Sequence, residues 1–131
     1  LAEMIRVCQP RGVVLIADVA LPTDKVEAYN RVEKLRDPSH AQALSHEAWD
    51  ALLASSGLQN LQRSGYNVEM ELEQQLTASY PNPGDAETIR EIFRNDLGVD
   101  GLGVGAHLVG QAIHFSYPIS VYVGNKSADE G

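Results

Sequence analysis

Leu1, Met4, Ile5 and Cys8 recur at helical spacing while Glu3 and Arg6 fall on the opposite face, the pattern of the last turns of an amphipathic helix. Gln9-Pro10-Arg11-Gly12 closes it, with proline presetting the first corner of a turn and glycine ending it. The period then changes. Val13-Val14-Leu15-Ile16-Ala17-Asp18-Val19 is a short, β-branched, almost unbroken apolar run, which predicts a strand covered on both faces, as in a parallel α/β sheet. Thr23 or Asp24 is placed to cap a helix carrying Val26, Tyr29, Val32 and Leu35 on one face. Pro38 pushes Asp37 out of helical geometry and breaks it. Ser45 predicts the N-cap of a further helix, with Ala48, Trp49, Leu52 and Leu53 inward and Gly57 as its stop.

Tyr66, Val68, Met70 and Leu72 alternate with Asn67, Glu69 and Glu71, the period of a half-exposed strand. Pro81, Pro83 and Gly84 mark a loop, after which Ile89, Ile92, Phe93 and Leu97 return to helical spacing. A glycine-rich stretch over residues 98–110 reads as a flexible connector to a last strand alternating through Ile113, Phe115, Tyr117, Ile119, Val121 and Val123. Pro118 lacks the N–H a ladder needs, so an edge position or a bulge is expected for it. The whole is an α/β pattern with a deficit. A strand as apolar as residues 13–19 calls for a neighbour on each side and helices on both faces, whereas the two other visible strands are half polar. An uncapped helix feeding a buried strand also reads as the second half of a β-α-β unit whose first strand would precede Leu1. The expectation is part of a larger α/β domain; a small complete α+β domain is the alternative.

Length and composition narrow this. The 131 residues, 44% of them apolar, suit one domain unit spanning 1–131. With 10 basic against 18 acidic residues the net charge is −8, which repels nucleic-acid phosphates and anionic headgroups, so neither partner is expected. Cys8 is the sole cysteine, which excludes an intrachain disulfide or a cysteine zinc cluster and suits a reducing cytoplasm. No apolar run is long enough for a membrane span, and the first residues lack the pattern of a signal peptide. The absence of an initiator methionine accords with a start inside a longer protein.

The stretch from Glu3 through Gln9-Pro10-Arg11-Gly12 to Asp18 resembles the part of class I S-adenosylmethionine-dependent methyltransferases where a helix ending "R-V-L-K-P-G-G" enters the fifth strand. Arg36-Asp37-Pro38-Ser39-His40 and the segment from Ser45 to Leu53 resemble the "R-D-P-S-H" and "S-x-x-E-W-x-x-L-L" elements of bacterial members similar to the ubiquinone and menaquinone biosynthesis enzymes. The ending from Ile113 to Ile119, with Lys126, resembles that fold's final antiparallel strand. Cys8 replaces a usual leucine, Arg11 the middle glycine of the turn, and Glu47 precedes Trp49 by two positions instead of one. Arginine at the turn favours a type I over a type II conformation. The resemblance implies the C-terminal portion of a Rossmann-like class I methyltransferase, contributing strands 5, 6 and 7. It also implies that the first half, with the glycine-rich cofactor loop and the ribose-binding acid, is absent.

Several residues are candidates for chemistry. Arg36, Asp37 and His40 bring together a fixed cation, a carboxylate and a group that titrates near neutral pH. The resemblance sets them beside the acceptor pocket, with His40 or Asp37 as proton acceptor and Arg36 as a substrate contact; the plain alternative is a self-capping turn. Asp18, where a strand ends, and Tyr29 are further substrate-side candidates, although Asp18 also suits a loop cap and Tyr29 a core position. Gly101-Leu102-Gly103-Val104-Gly105-Ala106 matches a loose dinucleotide pattern but follows a helix and precedes a strand, the reverse of the required order. His46, His107 and His114 lack metal-ligand spacing. The resemblance implies a small-molecule methyl acceptor, a quinone precursor among the candidates, with S-adenosylmethionine as the parent's cofactor. A different reading makes the chain an association module that homodimerises through the exposed edge of the strand at residues 13–19.

Overall fold

A computed structural model describes residues 1–79 and 81–127. Helix α1 (Ala2–Val7) leads into strand β1 (Val13–Leu21), and a 3-10 turn at Thr23–Lys25 opens α2 (Val26–Arg36). Two residues, Leu44–Ser45, form β2 before α3 (His46–Ala54). A long strand β3 (Gln59–Glu71) runs directly into α4 (Leu72–Thr77), followed by α5 (Asp85–Asp96), β4 (His107–Val109) and β5 (Ala112–Asn125). The sheet runs β2-β1-β5-β3, with β4 also on β5. β1 is parallel to β2 and antiparallel to β5, so the sheet is mixed.

Strand alternation sorts the side chains into two faces. One carries Val14, Ala20 and Tyr122 and is covered by α1 and α3, where Trp49, Leu53 and Leu58 complete a core and the Trp49 and Tyr122 rings stack 5.6 Å apart. On the other, Phe115 gathers Leu21 from β1 and Tyr29, Val32, Leu76, Ile89 and Phe93 from α2, α4 and α5. This second cover stops short. Val13 is 62% and Leu15 56% exposed, and Tyr66 and Val68 on β3 are also exposed, so the expected double burial of β1 holds only toward its carboxyl end. The outer edge of β1 is equally bare: β2 reaches only Ala20 and Leu21, and among the described residues no strand pairs with residues 13–19 on that side.

Other expectations are corrected by tertiary contacts. The first turn closes with Gly12 N–H donating to the Gln9 carbonyl at 2.8 Å, but Arg11 stands at φ 66°, the left-handed third position of a type II turn instead of type I. Reciprocal hydrogen bonds hold it there, Arg11 N–H to the Lys126 carbonyl at 3.1 Å and Lys126 N–H to the Gly12 carbonyl at 2.9 Å. A Cβ on Gly12 would lie 2.7 Å from the Gln9 carbonyl oxygen. We expect Arg11→Gly to stabilise the chain by about 1 kcal/mol through relief of left-handed strain. Gly12→Ala should destabilise it by about 1–3 kcal/mol by overpacking, both read from urea midpoints.

Thr23 does not cap α2 but donates its hydroxyl to Glu47 at 2.6 Å, tying the 3-10 turn to α3. Ser45 caps α3 as expected, accepting from Ala48 N–H at 2.9 Å. Pro118 lies in the middle of β5, without a register shift. It is accommodated because β1 pairs with β5 only as far as Ile119 and β4 only as far as His114, leaving a gap. Ser116 N–H fills part of that gap by donating to the Val104 carbonyl, and alternation turns position 118 to the same side.

The glycine-rich stretch is a built loop. Leu102, Val104 and Ala106 are buried in the Phe115 core. The buried Asp96 carboxylate accepts from Gly101 and Leu102 N–H, Asp100 Oδ1 accepts from Gly105 N–H, and the Lys25 ammonium donates to the Asp100 carbonyl.

Candidate functional site

β1 and its parallel neighbour β2 end at the same side of the sheet, where an open groove of about 700 Å³ lies between the segment after β1, α2, the loop before β2 and the start of α3. Ligands of open α/β sheets sit outside the carboxyl ends of parallel strands. Thr23 follows β1, Leu44 and Ser45 are β2, Val26, Asn30 and Lys34 come from α2, Ala48 from α3, and His40 lines the groove from the loop between. Val26, Ala43, Leu44 and Ala48 give it apolar surface, and Glu27, Arg31, Lys34 and Gln42 add polar and charged groups around it.

The loop at residues 37–45 is held from both ends. Asp37 Oδ1 accepts from Ser39 N–H at 3.0 Å and from the Ser39 hydroxyl at 2.6 Å, an Asx-type turn. These bonds, the hydroxyl's first, hold the Asp37 carboxyl below the usual carboxylate range. Asn30 ties down the far end: Nδ2 donates to the Ala43 carbonyl at 3.0 Å, and Oδ1 accepts from Ala43 N–H at 2.7 Å. The same Oδ1 lies 3.2 Å from His40 Nε2.

Arg36 points away from the groove. Its Nε donates to Glu33 at 3.0 Å and its Nη1 to the Ser79 hydroxyl at 3.0 Å. Burial works against the guanidinium charge, but the hydrogen bond and charge of Glu33 outweigh it and its pKa rises. Tyr117 joins this cluster, donating to Glu33 at 3.4 Å and accepting from Gln75 at 3.1 Å. Burial, then the Glu33 charge, pushes both the Tyr29 and Tyr117 phenols up. Tyr29 is buried in the core with its ring edge-on to His40 and to Tyr117. Asp18 is exposed, and its Oδ1 accepts from the adjacent Val19 N–H.

The structure thus places His40 on the groove, Arg36 in an internal ion pair, Asp37 in a turn and Tyr29 behind His40, while Asp18 lies inside β1, which continues to Leu21, and not where the strand ends. The residue that sequence reading passed over is Asn30. Its position on the flank of the α2 apolar face gave no signal, because its contacts run to a loop 13 residues on. The glycine-rich stretch offers no cofactor cradle: the N–H groups of Gly101, Leu102, Gly103 and Gly105 are all donated internally. Gly103 is needed for packing, since a Cβ there would lie 3.1 Å from Leu21 and Lys25 side-chain atoms. That stretch therefore offers no ready cradle for the adenosyl cofactor that the resemblance implies. Among the described residues no group of three or more His, Cys, Asp or Glu could hold a metal ion, and no helix is long and apolar enough to cross a membrane.

No protein-family model matches the chain. No curated protein matches it either. Solved structures do. The YcgJ protein of Bacillus subtilis superposes over 99% of this chain with a TM-score of 0.82 at 24% identity, and the matched part is 56% of that protein. A Bacillus halodurans C-125 protein described as a candidate methyltransferase matches over 96% of this chain, with a TM-score of 0.81 at 18% identity and 61% of that protein covered. The fold is therefore that of part of a Rossmann-like methyltransferase, and the chain spans less than two thirds of either structure.

Proposed function

We propose that this chain supplies the carboxyl-terminal half of an S-adenosylmethionine-dependent methyltransferase acting on a small molecule, with quinone precursors as the acceptor class the sequence resemblance favours. The observation that supports this most directly is the likeness over nearly the whole chain to a structure described as a methyltransferase, of which it accounts for 61%. The groove at the carboxyl ends of β1 and β2 serves as the acceptor side. Its walls orient the acceptor, which accounts for much of what a protein contributes to a displacement reaction. His40 is the proton acceptor there; Asp37, engaged by Ser39 and held ionised, shapes the loop that presents it. The methyl donor is held by a complementary half outside these residues. Calorimetric titration with S-adenosylhomocysteine tests the division: the chain alone should give no binding heat, and micromolar binding to it would overturn the assignment.

A second reading is favoured by the bare β1 edge and the exposed Val13 and Leu15 beside it. Unpaired strand edges recruit other chains. In the absence of a complementary half, two copies would pair β1 against β1 about a twofold axis. We expect light scattering to show a dimer and Leu15→Lys to return it to monomer; a wild-type monomer would remove this reading.

A further inference from the structure

We infer that Asn30 is a positioning residue that holds His40 in its Nε2–H tautomer and leaves Nδ1 as the proton or hydrogen-bond acceptor of the groove. Asn30 faces both polar groups of one residue, donating Nδ2–H to the Ala43 carbonyl and accepting Ala43 N–H on Oδ1. Rotating the amide by half a turn would set two donors against each other and two acceptors against each other, so its orientation is fixed by the backbone of residue 43.

Oδ1 is therefore an acceptor where it meets His40 Nε2 at 3.2 Å. A neutral imidazole carries one N–H, and only the form with that hydrogen on Nε2 can bond to Oδ1. The opposite tautomer would bring a nitrogen lone pair against the amide oxygen. The ring is braced edge-on by the buried Tyr29, at a centroid separation of 6.4 Å, so its position does not depend on Asn30 alone. Nδ1 has no hydrogen-bond partner among the described residues, and His40 lines the groove. The arrangement is a base with an orienting group behind it, in which a backbone-anchored carboxamide takes the place of a carboxylate.

The chemical use of Nδ1, accepting the proton of an acceptor O–H or N–H as that bond breaks and Nδ1–H forms, rests on the methyltransferase reading. The tautomer does not, and it is measurable on the chain alone. Ring nitrogen NMR of 15N-histidine-labelled protein, recorded above the ordinary histidine range of about 6.5, should show His40 as the Nε2–H form. Asn30→Ala should shift its tautomer ratio toward Nδ1–H by about fivefold or more, one hydrogen bond's worth. Asn30→Asp, which keeps an oxygen at that place, should retain the wild-type tautomer, and the form of the wild-type ring is the decisive readout if the alanine change unfolds the loop. Carbethoxylation by diethyl pyrocarbonate, mapped by mass spectrometry, should modify His40 in the wild type. A wild-type ring in the Nδ1–H form, a ratio unmoved by Asn30→Ala, a ratio moved by Asn30→Asp, or a His40 protected from the reagent would each overturn the inference. None of these results depends on cofactor binding, so their failure is separate from failure of the proposed function.

Discussion

Glu33→Gln should lower the stability of the chain by about 3 kcal/mol, seen as a Tm fall of about 10 °C. Glu33 is only 4% exposed, and its carboxylate is shared by the Arg36 guanidinium and the Tyr117 hydroxyl. The glutamine oxygen can still accept from Arg36, but removing the charge leaves a largely covered guanidinium with neutral partners only, this amide and the Ser79 hydroxyl. Loss of one partner from such a pair costs more than the pair contributes, because the survivor's desolvation is no longer offset. The double change Glu33→Leu with Arg36→Met should recover most of the loss, since apolar groups of similar volume need no partner. If the double variant is no more stable than Glu33→Gln, the cluster contributes through its geometry and the electrostatic account fails. The cluster joins α2, α4 and β5, so its loss should loosen the groove's α2 wall as well.

Phe115→Ala should cost about 3–5 kcal/mol, whereas Leu15→Ala in the monomer should cost less than about 0.5 kcal/mol. Both are large apolar residues in strands, and sequence alone ranks them alike. Phe115 is 1% exposed and touches Phe93 at a ring separation of 4.9 Å and Tyr117 at 5.3 Å, so truncation opens a cavity where three elements meet. Leu15 is 56% exposed on the uncovered face. Chemical denaturation of the two variants measures the difference. Equal costs would mean that β1 is covered in solution by something beyond this chain's own elements, as dimerisation through that face would do.

That contrast shows where local pattern was enough and where it was not. The apolar run at residues 13–19, the Ser45 cap and the helical spacing of Ile89 and Phe93 each involve residues only a few positions apart, and backbone preference plus periodicity decide such short-range matters. β3 extends back to Gln59 although its first half alternates poorly, because pairing with β5 imposes strand geometry there. The buried Leu102, Val104 and Ala106 do alternate with glycines, a strand-like signal hidden by the glycine content. For the candidate site, His40 was legible as a titratable group in a breaking loop, and its partner Asn30 was not.

What the sequence determined by itself was the identity and order of the principal helices and strands, the α/β class and the stretch that forms the groove loop, because each depends on neighbours in the chain. Tertiary structure alone decided the mixed strand order, the left-handed Arg11, the tolerance of Pro118 in mid-sheet and the Asn30 to His40 contact. Each of these depends on groups brought together from distant positions, as when the Lys126 backbone pins the turn at Arg11. The uncovered face of β1 belongs to the same class: an apolar run declares that burial is favourable, and only the arrangement of the other elements decides how much of it this chain achieves.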